Sequence, residues 1–164
     1  MMVLICLDGY RVAEVLSEVG RALSPEAEWV ILHVSDTRPI DEAERALGAL
    51  PGREAGRGRA EAHLRQAAEW DEDEVRHAAA RWLVEAGRTA EIVVTRGRPE
   101  REIVRVAEER HADLVVLGGG RGLAGRYPGP GPFPLSPVAR FVVDHLQCDL
   151  ILLRRYVAGE DRAA

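Results

Sequence analysis

The sequence contains no lysine: all 22 of its basic residues are arginine. A phosphate-binding P-loop needs a lysine on its phosphates, and Schiff-base chemistry needs a lysine amine, so both are excluded outright. Cysteine is scarce as well. Cys6 lies inside the first apolar run and Cys148 just before the last, which fits reduced core thiols better than a disulfide framework. The histidines at 33, 63, 77, 111 and 145 never stand at helical metal-binding spacing or beside a cysteine, which argues against a zinc site. No Gly-x-Ser-x-Gly elbow accompanies them, so a hydrolase triad has no support. The opening run from Met1 to Leu7 is too short to span a bilayer and lacks a charged leader and a cleavage site. No targeting signal or membrane role is read from it, and a cytoplasmic protein is expected. A formal net charge of −5 makes bulk nucleic-acid binding an unpromising function.

What is present is an ordinary folding composition: 164 residues, 46% hydrophobic and 30% charged, enough for one domain with a layered core. Five short apolar runs recur, Val3 to Leu7, Trp29 to Val34, Glu91 to Val94, Leu114 to Leu117 and Leu150 to Leu153. Runs without alternation are buried on both faces, as in a parallel sheet. Between them, Val12, Val15, Leu16, Val19 and Leu23 keep the spacing of one buried helix face, and Ser24-Pro25 closes it. Val75 to Ala86 repeats that pattern before Gly87, a C-cap candidate. Pro99 opens a helix carrying Ile103, Val106 and Ala107, and Ser136-Pro137 opens the last, with Val138, Phe141, Val142 and Leu146 on its inner face. Alternating strands and helices with right-handed crossovers give a doubly wound α/β sandwich spanning residues 1–155, with 156–164 as a flexible tail. Residues 35–71 break the rhythm with two weak helical stretches around Pro51, an excursion that reads as a solvated spacer or as a lid.

The chemistry-bearing positions gather at strand ends. Asp113-Leu-Val-Val-Leu-Gly-Gly-Gly-Arg-Gly122 is an apolar strand that stops at glycines, where bare backbone lets a phosphate approach main-chain N–H groups. A tight turn would need the same glycines. The helix start at Ser136 adds unpaired N–H groups and positive dipole charge. Asp8-Gly9 ends the first strand, where open α/β sheets place ligands; Asp8 could receive a ribose hydroxyl, hold magnesium, or cap the next helix. His33-Val34 ends the second, and the Val34 backbone could meet a planar base, although Val34 could equally be core. The acidic run Glu69, Asp71, Glu72, Asp73 and Glu74 is read as a solvated cap at a helix start and not as an acid–base pair.

Together these residues resemble the universal stress protein family. Asp8-Gly9, His33-Val34, the turn Gly97-Arg-Pro-Glu-Arg-Glu-Ile103, the Asp113–Gly118 strand with Arg121-Gly122, and a Ser-led helix followed by a strand occur in the family's order over residues 1 to about 155. The resemblance implies a Rossmann-like five-stranded parallel sheet of order 3-2-1-4-5, a homodimer through Leu150–Leu153, and in many members one ATP per subunit. On that basis an adenine nucleotide, with or without magnesium at Asp8, would meet Asp8, Gly9, Val34, Gly118, Gly119, Gly122, Ser136 and Val138.

This chain departs from the family's glycine pattern. One extra residue separates the strand from its second glycine, and nine residues past Gly122 stand Pro132-Phe133 in place of Gly-Ser. The nearest substitute is Leu135-Ser136, with leucine where the family has glycine. The loop Tyr127–Pro134 is rich in prolines, which have no N–H to offer a phosphate. Three functions follow: a nucleotide-binding regulatory module, a dimeric adaptor for a protein partner whose loop has replaced the phosphate site, or, with no dedicated base, at most a slow ATP hydrolase.

Overall fold

Branched residues at successive positions leave a strand no polar face to give to solvent, so it must be covered on both sides. The computed structural model, which describes residues 1–9, 11–39, 41–42, 45, 54–118 and 135–153, meets that demand with a parallel five-stranded sheet between two helical layers. The strands are β1 (Met2–Leu7), β2 (Glu28–Asp36), β3 (Glu91–Gly97), β4 (Leu114–Gly118) and β5 (Asp149–Leu153). Their spatial order is β3-β2-β1-β4-β5, the expected 3-2-1-4-5. The helices are α1 (Val12–Ala22), α2 (Glu54–Glu85), α3 (Pro99–Glu109) and α4 (Pro137–His145).

Alternation along each strand divides the core in two. Val3, Ile5, Leu7, Trp29, Ile31, Leu114 and Val116 meet Val15, Leu16 and Val19 of α1 and Val75, Ala79 and Leu83 of α2. Leu4, Cys6, Val30, Leu32, Val115 and Leu117 face Ile103, Val106 and Ala107 of α3 and Val138, Ala139 and Val142 of α4. Full burial of each such side chain contributes roughly 1.5–3 kcal/mol, so these two clusters dominate the driving force. Trp29 stacks on Trp82 at 5.9 Å between centroids, and the Arg88 guanidinium lies over the Trp29 ring. Burial pushes the Cys6 thiol well up, which makes it an inert core residue.

Register then places the functional edge. Leu7 stands opposite His33 on one side and Gly118 on the other. The chain ends of β1, β2 and β4 therefore emerge side by side, on either side of β1, where the strand order reverses.

Three sequence expectations need correction. The helix expected to begin at the acidic run is continuous from Glu54 to Glu85, so Asp71 to Glu74 lie in mid-helix and cap nothing. A helix of 32 residues is about 48 Å long, against roughly 20 Å for the sheet's strands, so it must outrun the core. Its buried described residues begin at Val75, and Trp70 is exposed. The apolar periodicity marked where this helix touches the sheet and not where it starts. Second, α1 is not capped by Asp8: its N-cap position is Arg11, left-handed at φ 53, with no side-chain cap. Third, Phe141 is only half-buried and stacks on His145 instead of entering the core. Gly87 does cap α2, at φ +61, with Arg88 N–H donating to the Leu83 carbonyl. Residues 156–164 lie outside the described residues.

Candidate functional site

The edge where β1 and β2 end holds a crevice of about 180 Å³. Its walls come from five places in the chain. Leu7 and Asp8 follow from β1, and His33, Val34 and Asp36 from β2; Asp71 comes from α2, and Pro99 and Ile103 from α3, with Val138 from α4. The N-terminal ends of α3 and α4 both arrive here because each helix runs back from the carboxyl edge of a parallel strand. Of the sequence candidates, Asp8, Val34 and Val138 are thus brought together on one cavity.

The others stand around it in structural roles. Gly9 adopts φ +84, and a Cβ there would fall 2.8 Å from Asp71 Oδ1, so glycine both permits the turn and seats the carboxylate. Gly118 is packed so closely against α1 that a Cβ would meet Val15 Cγ1 at 2.3 Å. The Ser136 hydroxyl, nearly buried, accepts a 2.9 Å hydrogen bond from the Ala139 N–H and so caps α4, with Pro137 in the first turn. Gly119, Gly122 and the Tyr127–Pro134 loop lie outside the described residues.

Four further polar groups line the crevice: Asp36 and Arg38, which the sequence reading passed over, and His33 and Asp71, to which it gave no ligand role. Asp36 and Arg38 form a forked pair, Arg38 Nε donating to Oδ1 at 2.9 Å and to Oδ2 at 2.8 Å, while the Arg38 backbone N–H also reaches Oδ1. The Asp36 carboxylate raises the Arg38 guanidinium further above its ordinary value. His33, 2% exposed, has Nδ1 3.0 Å from the Leu7 carbonyl and Nε2 3.3 Å from Asp71 Oδ2. The next residue on α2, Glu72, accepts hydrogen bonds from Ser35 Oγ at 2.5 Å and Arg96 Nε at 2.8 Å. Arg96, and after it Ser35, holds the Glu72 carboxyl below the usual carboxylate range. Asp71 and Glu72 therefore fasten α2 to the ends of β2 and β3. Only the Asp36-Thr-Arg38 spacing carried a local sequence signal, that of an Asp accepting from a backbone N–H two residues on; the α2 contacts span more than twenty residues and had none.

With this arrangement in view, the family model of the universal stress proteins matches residues 3–154. The chain belongs to the universal stress protein family. Solved structures similar to it include the hypothetical protein MJ0577, at 19% identity and a TM-score of 0.69 over 96% of this chain and 97% of that one. A universal stress protein family protein from Arabidopsis thaliana, solved with AMP bound, has 16% identity and a TM-score of 0.61 over 98% and 97%. A family protein from Burkholderia pseudomallei has 18% identity and a TM-score of 0.56 over 94% and 96%. At such identities the likeness is one of fold. No curated protein matches the sequence. Among the described residues no helix is long and apolar enough to cross a membrane.

Proposed function

We propose that this universal stress protein is a regulatory module that binds an adenine nucleotide in the crevice at the ends of β1 and β2. The observation that carries this reading is the meeting of Asp8, Val34 and Val138 around one cavity at the switch in strand order, and the AMP-bound family structure supports it. Val34, Ile103 and Val138 offer apolar surface to a planar base, and Asp8 a carboxylate to a ribose hydroxyl or to magnesium. A cavity of about 180 Å³ is below the roughly 300 Å³ at which ligand pockets usually begin. In this reading base and ribose take the described walls, and the phosphates are left to Gly118, Gly119, Gly122 and the α4 start at Ser136.

Isothermal titration with AMP, ADP and ATP, with and without magnesium, tests this. Saturable heat with any of them is expected; none, with no thermal shift, overturns the reading. Adenine nucleotide released on denaturing the purified protein is the complementary result.

A second reading has its own observation. Leu135, where the family pattern has glycine, is packed against the α3–α4 core cluster, which fixes a bulky residue at the entrance of α4. In that case the protein is a dimeric adaptor, and Leu135→Gly would create ATP binding that the unmodified chain lacks. In either reading we propose a homodimer through β5, whose outer edge has no strand partner in the five-stranded order.

A further inference from the structure

Buried histidines normally have both nitrogens accounted for, and His33 does not. Its Nδ1 lies 3.0 Å from the Leu7 carbonyl. A carbonyl only accepts, so Nδ1 carries a hydrogen. Nε2, on the far side of the ring, is buried and has no hydrogen-bond partner among the described residues, yet Asp71 Oδ2 stands 3.3 Å from it. A neutral ring would aim a lone pair at a carboxylate. The contact becomes attractive when Nε2 also carries a proton to donate to the carboxylate.

The surroundings leave Asp71 as the partner. From α2, Glu72 is taken by Ser35 and Arg96. At the end of β2, Asp36 is taken by Arg38, and at the start of α1 Arg11 and Glu14 hold each other at 2.6 Å. From β1, Asp8 lines the same crevice. Gly9, at φ +84, leaves the space into which the Asp71 carboxylate sits.

We propose that His33 is a positioning residue of the crevice: as an imidazolium held on the Leu7 carbonyl through Nδ1, it fixes the Asp71 carboxylate over Gly9 and thereby sets the wall that α2 presents to the ligand. This rests on the reading of the crevice as a nucleotide site. His33 is almost fully buried in the crevice wall and Asp71 is half exposed, so Asp71 is the group more open to the ligand.

Long-range proton–nitrogen NMR of the imidazoles in the unliganded protein tests the pair without any nucleotide. The expected result is a neutral form with hydrogen on Nδ1, and a doubly protonated fraction that drops at a given pH on Asp71→Asn. A neutral form with hydrogen on Nε2, or a fraction that Asp71→Asn does not move, overturns the proposal. The binding arm uses adenosine, which carries no phosphate and so reports on the base and ribose walls alone. His33→Gln, which removes the imidazole that holds Asp71, is expected to weaken adenosine about tenfold with the fold retained, the size of one lost charged hydrogen bond. Equal affinity in His33→Gln overturns the positioning role. If neither AMP nor adenosine binds the unmodified protein, the nucleotide reading fails whatever the NMR shows; if they bind and the imidazole signature is wrong, only the role of His33 fails.

Discussion

Glu72, in the middle of α2, accepts a 2.5 Å hydrogen bond from the hydroxyl of Ser35 at the end of β2. The same carboxylate takes the Arg96 guanidinium from β3. One side chain thus ties a helix to two strands at the edge where the crevice opens. Its carboxyl is held below the usual range by Arg96 and then Ser35, so its contribution is present above the ordinary carboxylate value and is lost as pH falls through the lowered one. Glu72→Ala is expected to cost about 1–3 kcal/mol near neutral pH, since it strands the buried Ser35 hydroxyl. Urea denaturation of both proteins across the acid range should show the difference shrinking as pH drops.

Gly118 should tolerate no side chain. With a Cβ only 2.3 Å from Val15 Cγ1, Gly118→Ala is expected to destabilise by about 1–3 kcal/mol through overpacking. Adding Val15→Ala makes room, so the double mutant should be more stable than the sum of the two single changes implies. Additive losses in thermal denaturation would mean that the glycine serves the turn and not the packing.

At Gly9 two penalties coincide. Gly9→Ala must hold a left-handed φ of +84 and push away the Asp71 carboxylate, which together are expected to cost about 1–2 kcal/mol or more. Because Asp71 lines the crevice, adenosine affinity should fall in the same variant, measured by titration at a temperature where it remains folded.

Ser136→Ala removes the hydroxyl that caps α4, with an expected loss of about 1 kcal/mol. The nucleotide reading adds a second outcome: Ser136 stands at the phosphate end, so ATP should weaken more than adenosine. Equal weakening of both would limit Ser136 to its cap.

The β5 edge predicts the assembly state. Light scattering at increasing concentration should return twice the chain mass, and Ile151→Pro on that edge strand should lower it, because proline removes a ladder donor. A constant monomer mass would contradict pairing through β5.

The sheet was legible in the sequence because a strand buried on both faces must be apolar at every position, and Val3–Leu7 and Leu114–Leu117 satisfy that without help from distant residues. The α2 helix was legible only from Val75 onward. Before that point none of its described residues joins a core cluster, and a solvated helix built from Ala, Arg, Glu and Gln carries propensity but no periodic signature. Hence the acidic run was taken for a helix start, and the partners of Asp71 and Glu72 were missed.

By itself the sequence determined the order of strands and helices, the glycine positions at strand ends, and through Asp8, Val34 and Val138 three walls of the crevice. The first two follow from local patterns and from the handedness of parallel crossovers; the crevice positions came through the resemblance to the universal stress proteins, with Asp8 and Val34 also marked by their places at strand ends. Only the tertiary structure decided that His33 meets Asp71, that Ser35 meets Glu72, and that Gly118 gives way to Val15. Each of these contacts depends on how a helix is rotated and slid against the sheet, and that is settled by packing of the whole core, not by any segment's own spacing.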